Sequence, residues 1–470
     1  MDYPLIGIVL FVALASIFLS PKARSTSGFF QGHSPDGKAP ELLTLIFSQV
    51  TTWIFARSLM NAAILGFYYG IWGTLAYAAY YLSFFTGGKI IDHLRFRQGY
   101  GSVQSFLSDR FGKVGTSCYN TVIGVRLVSE VFANLLVIGL LFGVAGSQAY
   151  TLGVIAIALI TLIYSMLGGL HASLKTDLFQ MIVFIGVLAL LMITAAASGS
   201  FNDQLLTFKP FDITEPGPVL LLVALLQVWS YPMHDPVMMD RGFLADRETT
   251  RSSFIHAGWI SMLCILLFGL LGVMAGSHAL SGENMNQALT RILGELPMLL
   301  FSASLIISAM STLDSALSSS AKLAIVDMKL SAESVSHGRA AMAVFMLLGV
   351  ALVFLGNKDL FSAVAVSGTA SMYLAPVIFF SLWGNVKEIP VASYFSSFLL
   401  AIAGAALYFT ESSGYSSLIG DSHKYTKLLW ISLTVLVGGC LFFWFGMKLS
   451  GTAKEVAGLN DEQLAKGDAS

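Results

Sequence analysis

The sequence predicts an all-α membrane protein that crosses the bilayer about thirteen times, and three observations predict it. Of its 470 residues 56% are hydrophobic and only 11% charged, with a mean hydropathy of +0.75, where an ordinary soluble domain carries about 25% charged residues. Uncharged runs recur, as at 58–88, 131–174 and 252–282, each long enough for the roughly 20 residues that span the hydrocarbon core as a helix. Positive charge, finally, alternates between loops in the way that sorts the two faces of a membrane. The same composition excludes a nucleic-acid binder, since 26 Lys and Arg against 27 Asp and Glu leave no basic field. Cys118, Cys264 and Cys440 lie far apart in apolar stretches and form neither a disulfide framework nor a zinc motif.

The first helix, near 3–20, follows Asp2 rather than a basic segment, so it reads as a retained span and not a signal peptide. Further helices are expected near 42–66, 69–92 and 115–144. The run 131–174 is too long for one crossing and supplies most of two, with a corner at 143–146 and helices at 150–168 and 174–198. The remaining spans fall near 217–239, 252–276, 297–327, 340–356, 360–384, 389–409 and 427–447. These make one transmembrane domain over 1–449, followed by a short polar tail, 450–470. An odd count puts the termini on opposite faces. With the C-terminus inside, eighteen of the 26 Lys and Arg, Arg241 among them, fall in inner segments and five in outer ones. Arg57, Arg126 and Lys322 remain within helices. The N-terminus is therefore expected outside and the C-terminus inside.

Irregular backbone in a membrane is tolerated only beside protein or a watery cavity. Pro232 and Pro236 lie four apart in the run Gln227-Val228-Trp229-Ser230-Tyr231-Pro232-Met233-His234-Asp235-Pro236. Each removes an N–H donor and crowds the carbonyl four residues back, so successive turns of one helix are disrupted. Freed carbonyls and half-helix ends are the material of solute and ion sites in transporters; a plain kink is the alternative. The polar run Ser48-Gln49-Val50-Thr51-Thr52-Trp53 holds neither Pro nor Gly, and unwinding there does not follow from composition. Arg57, four residues on and deep in the span, either faces a cavity or partner or snorkels outward. A third run, Ser308-Ala309-Met310-Ser311-Thr312-Leu313-Asp314-Ser315, places Ser308, Ser311, Thr312 and Ser315 on one helical stripe. Hydroxyl donors of this kind suit a hard monovalent cation. A small-residue packing face would explain the serines but not Asp314.

Three segments together resemble the sodium:solute symporter family, which includes the proline, sugar and sialic-acid symporters. Tyr164-Ser165-Met166-Leu167-Gly168-Gly169-Leu170 followed by Thr176-Asp177-Leu178-Phe179-Gln180 is similar to its Gly-Gly-Leu…Thr-Asp-x-x-Gln signature. Met310-Ser311-Thr312-Leu313-Asp314-Ser315 is similar to its Met-Ser-Thr-x-Asp-Ser run, and Arg241-Gly242-Phe243-Leu244-Ala245 resembles the stretch after its broken sixth core helix. The resemblance implies the leucine-transporter-type fold: a leading helix, a ten-helix core of two inverted five-helix repeats (about 42–198 and 217–384), and peripheral helices near 389–409 and 427–447. It supplies the break in the 42–66 helix that composition does not. It implies a Na⁺ site of the Phe47, Val50 and Ser308 carbonyls with the Ser311 and Thr312 hydroxyls. It implies a second cation site or exit path at Asp177, Asp314 and Ser315, against the plainer reading of Asp177 as a helix cap.

Gln49 stands where the proline symporters carry an aspartate, which leaves the coupling ion open between Na⁺ and H⁺. Pro232 and Val228 fall where the proline symporters' aromatic residues would align, so proline is not inferred as the solute. The solute is expected between the two breaks, lined by Gln49, Thr52, Trp53, Arg57, Gln227, Trp229, Tyr231 and His234. Arg57, or Arg126, suits a carboxylate, although Arg126 and Glu130 at four-residue spacing are expected to pair with each other. The function expected is cation-coupled import of a small polar organic solute, with preference for a carboxylate or zwitterion, across a cell membrane such as the bacterial inner membrane. The bilayer and a small-molecule solute are the expected partners, without nucleic acid or an obligatory protein. An intramembrane enzyme built on Ser311 with His234 or Asp314 is the competing class; no nucleophile–base motif, metal-ligand spacing or phosphate loop supports it.

Overall fold

A computed structural model of the chain describes residues 3–23, 25–201, 204–355 and 360–449. The expected tail, 450–470, and two loop cations of the charge tally, Arg24 and Lys358, lie outside the described residues. Every regular element among the described residues is a helix. Besides the short turns Gln204–Thr207 and Tyr231–His234, these are in chain order α1 (Tyr3–Leu19), α2 (Thr26–Gln31), α3 (Leu42–Trp53), α4 (Ala56–Arg97), α5 (Val103–Phe142), α6 (Gln148–Ala197), α7 (Pro216–Gln227), α8 (Pro236–Gly242), α9 (Arg247–Ser277), α10 (Met285–Leu293), α11 (Glu295–Asp327), α12 (Val335–Leu355), α13 (Val366–Trp383), α14 (Val391–Ser412) and α15 (Lys424–Leu449). Nine of the described helices are long and apolar enough to cross a membrane, and three shorter apolar ones cover Pro4–Leu19, Leu42–Trp53 and Pro216–Gln227.

Three of the long helices exceed any single crossing: α5 has 40 residues and is broken near its start by Gly112 (φ 60°), and α4 and α6 are longer still. At 1.5 Å per residue, the 42 residues of α4 and the 50 of α6 would reach roughly 63 and 75 Å, against about 30 Å of hydrocarbon. Each is interrupted by one glycine in left-handed backbone, Gly70 (φ 63°) and Gly169 (φ 57°). Both positions exclude a side chain sterically: an added Cβ would lie 2.4 Å from the Phe208 carbonyl at Gly70 and 2.4 Å from that of Phe29 at Gly169. The sequence reading placed corners at 66–69 and 168–174, within a few residues of these glycines.

The expected helix at 217–239 is broken. α7 ends at Gln227, a single tight turn covers Tyr231–His234, and Pro236 opens α8 at its first position, where the missing N–H costs nothing. Asp235 caps α8, its side chain accepting from the Met238 N–H at 2.9 Å. The expected helix at 42–66 also breaks, at Ile54 and the extended Phe55 (ψ 160°). The polar run 48–53 itself stays helical, so the interruption comes after it. α4 lies directly against α9: a Cβ on Gly272 would fall 1.9 Å from the Ala63 carbonyl, and one on Gly66 2.3 Å from that of Gly269. Small residues permit this backbone-to-backbone approach between membrane helices.

Candidate functional site

Broken helices leave carbonyls without helical partners, and in lipid each must find a donor. At the first break, Tyr81 Oη donates to the Trp53 carbonyl at 2.6 Å, Thr312 Oγ1 to Thr51 O at 3.1 Å, and Ser308 Oγ to Ile54 O. At the second, Thr86 Oγ1 donates to Val228 O at 2.7 Å and Tyr119 Oη to Met233 O at 2.8 Å. Hydroxyls from α4, α5 and α11 therefore hold both breaks open. Val50 O accepts from the Ile54 N–H at 2.9 Å and Phe47 O from the Thr51 hydroxyl at 2.9 Å. The carbonyls whose donors come from other helices are those of Thr51, Trp53 and Ile54, one turn later than the two named from the sequence.

Below the first break, α3, α6, α8 and α11 bring charged and hydroxyl groups together with no exposure to solvent. Asp177 accepts from Ser48 Oγ and Ser311 Oγ, both at 2.6 Å, and from Ser315 Oγ at 3.3 Å. Asp314 accepts from Thr176 Oγ1 at 2.8 Å and Ser173 Oγ at 2.9 Å. The Arg241 guanidinium enters the same cluster. It donates to Ser315 at 2.8 Å, Ser48 at 3.1 Å and Ser173 at 3.3 Å, and lies 3.7 Å from Asp177. Asp177 thus pairs with the guanidinium while Asp314 is held by hydroxyls, and all three side chains are buried. The O–H groups of Ser308, Ser311 and Thr312 are spent on Ile54 O, Asp177 and Thr51 O, with Thr312 also directed at Ser308 O (3.0 Å). A hydroxyl has one donor and two lone pairs, so what this stripe still offers is acceptor oxygen, the ligand type of a hard cation. Among the described residues no three His, Cys, Asp or Glu side chains converge as a metal site.

Between the two breaks lies a small aromatic cavity of about 20 Å³, lined by Trp53, Phe55, Ser58, Tyr77, Tyr80, Tyr81, Arg126 and Tyr231. Trp53 meets Tyr81, Phe84 and Tyr231 at ring distances of 5.1–5.7 Å. Arg126 stacks over Tyr231 at 5.1 Å and is bound by Asp235 at 2.6 Å, with further bonds to Tyr231 Oη (3.1 Å) and Ser367 (3.3 Å). Glu130, the partner expected from spacing, forms a looser ion pair with Arg126 at 3.7 Å. His234 joins this group through Ser367 at 3.0 Å. Arg57 does not snorkel: it is 1% exposed, with its guanidinium over the Phe55 ring.

Not every residue named for the solute faces this cavity. Thr52 donates to its own helix at Gln49 O. Gln49 turns to Ser253 of α9 at 3.3 Å. Gln227 spends its amide on Tyr80 (3.1 Å) and on Ser432 of the last helix (3.2 Å). Trp229 points away, 38% exposed, against Phe379 and Trp383; with Leu222 and Leu225, also exposed, it continues an outward stripe at helical spacing. Sequence reasoning also missed two residues, Arg241, which it assigned to an inner loop, and Asp240. Asp240 forms an ion pair with Lys322 and accepts from Ser319 Oγ at 2.7 Å. The pair borders a cavity of about 1030 Å³ whose lining includes His33, Ser102, Lys113, Asn120 and Lys329.

No protein-family model matches the sequence, and no curated protein matches it. Solved structures do. The chain is similar to a Na⁺-coupled sialic acid symporter in a substrate-bound outward-open state, with a TM-score of 0.69 at 14% identity over 93% of this chain and 96% of that one. It is also similar to a nucleobase-cation-symport-1 family transporter in a closed conformation with bromovinylhydantoin bound, with a TM-score of 0.55 at 12% identity over 92% and 95%. At such identities the likeness establishes the fold. It is a transporter fold of the leucine-transporter type, the fold that the three motifs implied.

Proposed function

We propose that this chain is a cation-coupled secondary active symporter, driven by Na⁺, that imports a small polar organic solute carrying a carboxylate or a zwitterionic pair. The observation that carries the reading is the buried cluster at the first break: two carboxylates against one guanidinium, beside a hydroxyl stripe whose free valence is all lone pair. Such a site carries one uncompensated negative charge and gains most from one monovalent cation. Ser308, Ser311 and Thr312 with the carbonyls of α3 are the ligands proposed for Na⁺; Asp177, Asp314 and Ser315 form the second cation site or exit path. The solute binds between the breaks, where the aromatic cavity of about 20 Å³, room for roughly one water, widens to admit it. Gly70 and Gly169 divide their long helices, which supports thirteen crossings with the N-terminus outside, and this orientation turns the 1030 Å³ cavity inward. The membrane is a cell membrane, the bacterial inner membrane in the simplest case.

Sodium entering from outside neutralises the cluster and fixes α3 against α11, and the solute then completes the midplane. Each biases the same conformational equilibrium, so each tightens the other by an equal factor. The membrane potential contributes about 2.3 kcal/mol per charge per 100 mV. Proton coupling is the second reading, favoured by Asp314, for which no ion pair is found among the described residues. Uptake into proteoliposomes with imposed Na⁺ or H⁺ gradients, over labelled amino acids, carboxylates, sugars and urea, decides between them. Leakage independent of any gradient would sink symport, and Ser311→Ala with Thr312→Ala leaving sodium dependence intact would remove the proposed ion site.

A further inference from the structure

Four oxygens below the first break are packed on one another: Ser173 Oγ and Asp177 Oδ2 of α6, and Asp314 Oδ1 and Ser315 Oγ of α11. Ser173 Oγ lies 2.9 Å from Asp314, 2.9 Å from Ser315 and 3.4 Å from Asp177. Ser315 Oγ lies 3.3 Å from Asp177 and 3.4 Å from Asp314. Oxygen ligands stand about 2.3–2.6 Å from a hard cation of the size of Ca²⁺, which Na⁺ nearly matches, so neighbours in a regular shell are roughly 3.3–3.7 Å apart. The four oxygens have nearly this spacing, drawn slightly closer by the hydroxyl protons that join them. A guanidinium nitrogen already sits on them. Arg241 Nη2 is 2.8 Å from Ser315 Oγ, 3.3 Å from Ser173 Oγ and 3.7 Å from Asp177 Oδ2, while its Nε donates to Ser48 Oγ at 3.1 Å. Three of the four oxygens therefore face one nitrogen.

These are not the contacts of an arginine locked onto a carboxylate, which makes two parallel bonds of about 2.7–2.9 Å. Arg241 makes no such bond to Asp177 and directs its donors to hydroxyls instead. Its Nη1 has no hydrogen-bond partner among the described residues, although the side chain is fully buried. An arginine serving the fold alone would explain the burial, but not the idle Nη1 or a place on oxygens spaced for an ion. Two cations drawn to the same lone pairs, away from water, repel each other strongly. We infer that Arg241 is a tethered cation that fills the second cation site, so that guanidinium and Na⁺ exclude one another there. While α8 is docked the chain holds one Na⁺, at Ser308, Ser311 and Thr312, and not two. The inference rests on the sodium-symport reading for the identity of the ion, and it deepens that reading by giving the second site its occupant. α8 is seven residues long and follows an irregular turn, so withdrawal of the guanidinium is the motion of one short element.

The test counts ions on the purified full chain in detergent, by equilibrium binding of radiolabelled Na⁺ at a concentration that saturates the first site. One Na⁺ is expected on the unaltered protein and two on Arg241→Gln. Arg241→Lys, whose ammonium restores a tethered cation, should return the count to one. Adding Asp177→Asn to Arg241→Gln should do the same, by removing a carboxylate of the vacated site. If Arg241→Gln fails to fold, Arg241→Met, which keeps an unbranched stem without charge, carries the same count. An arginine that serves the fold alone would lower the melting temperature on replacement without adding an ion. Equal counts on the unaltered protein and on the neutral variant therefore overturn the inference, and so do two ions on the unaltered protein. No ion on the unaltered protein with one on Arg241→Gln would remove the proposed sodium symport and leave this inference standing. One ion on each would do the reverse.

Discussion

Replacing Arg241 by glutamine removes the single cation from a buried cluster that holds Asp177 and Asp314. The magnitude follows from the geometry. The guanidinium lies 3.7 Å from Asp177, and unit charges about 4 Å apart interact by roughly 4 kcal/mol at an effective dielectric near 20. Breaking one side of a buried ion pair costs about 3–5 kcal/mol in measured cases, which agrees. A chain of this length has an unfolding entropy near 1 kcal/mol per degree if about 2.1 cal/mol/K per residue applies, so the melting temperature should fall by roughly 4 °C. Asp177→Asn removes the other side of the pair and should also destabilise. The double variant is the critical one: with neither charge of the pair left unmatched, it should recover at least about 1 kcal/mol relative to the sum of the singles. Melting curves of the four proteins, taken by tryptophan fluorescence in one detergent and one sodium concentration, supply the cycle. A single-variant loss under about 1 °C, or simple additivity, would mean that Arg241 and Asp177 do not form an energetic pair.

Three other outcomes follow from separate parts of the structure. The Asp240–Lys322 pair borders the large cavity, with Met239 buried beside it; Lys322→Gln should raise modification of a cysteine placed at Met239 by about tenfold, the effect of 1.4 kcal/mol, and an unchanged rate would show that the pair restrains nothing. Gly272→Ala drives a methyl to within 1.9 Å of the Ala63 carbonyl and should cost about 1–3 kcal/mol, whereas Gly124→Ala, which meets only Leu323 at 4.0 Å, should be silent in the same thermal assay. In the loop after α9, Glu283 lies beside Arg291 of α10 (2.8 Å), which with the Leu280 N–H holds the Glu283 carboxyl down to about 2. Because the folded value lies below the unfolded one, this restraint is complete above about pH 4.3 and is lost as pH falls toward 2. Hydrogen exchange in 278–294 should accelerate over that window, and not in Glu283→Gln.

The break at Pro232 and Pro236 was legible because its cause is local: two residues that cannot continue a helix. The break at Ile54 and Phe55 was not, because its cause is tertiary. Neither residue is a helix breaker, and the donors that hold it, Tyr81, Ser308 and Thr312, lie up to 261 positions away in the sequence. Resemblance named that helix but placed the freed carbonyls one turn early. Gly70 and Gly169 are two among 44 glycines; only the length of the uncharged runs showed that corners were needed near them. Arg241 illustrates a different blindness. A cation after the broken segment reads as a loop charge in a sidedness tally, and its burial depends on a socket assembled from 48, 173 and 315. Trp229 was mistaken for a lining residue because aromatic content was weighed above register.

α8 is only seven residues long, yet it and its cap reach three separate charge clusters. Asp235 binds Arg126 beside the aromatic cavity, Arg241 enters the Asp177–Asp314 cluster, and Asp240 binds Lys322 at the large cavity. No other described element does this, and α8 is joined to α7 only through the irregular turn at 228–235. A rigid half-helix so connected cannot shift by an ångström or two without altering all three contacts, because hydrogen bonds weaken steeply with length and angle. Two of the contacts lie near the regions assigned to solute and ion, and the third borders the cavity assigned to the inner face. Coupling between ion, solute and exit therefore needs no relay of many side chains through the bundle. It needs only that α8 have more than one resting position, with occupancy of the midplane and of the carboxylate cluster favouring the same one.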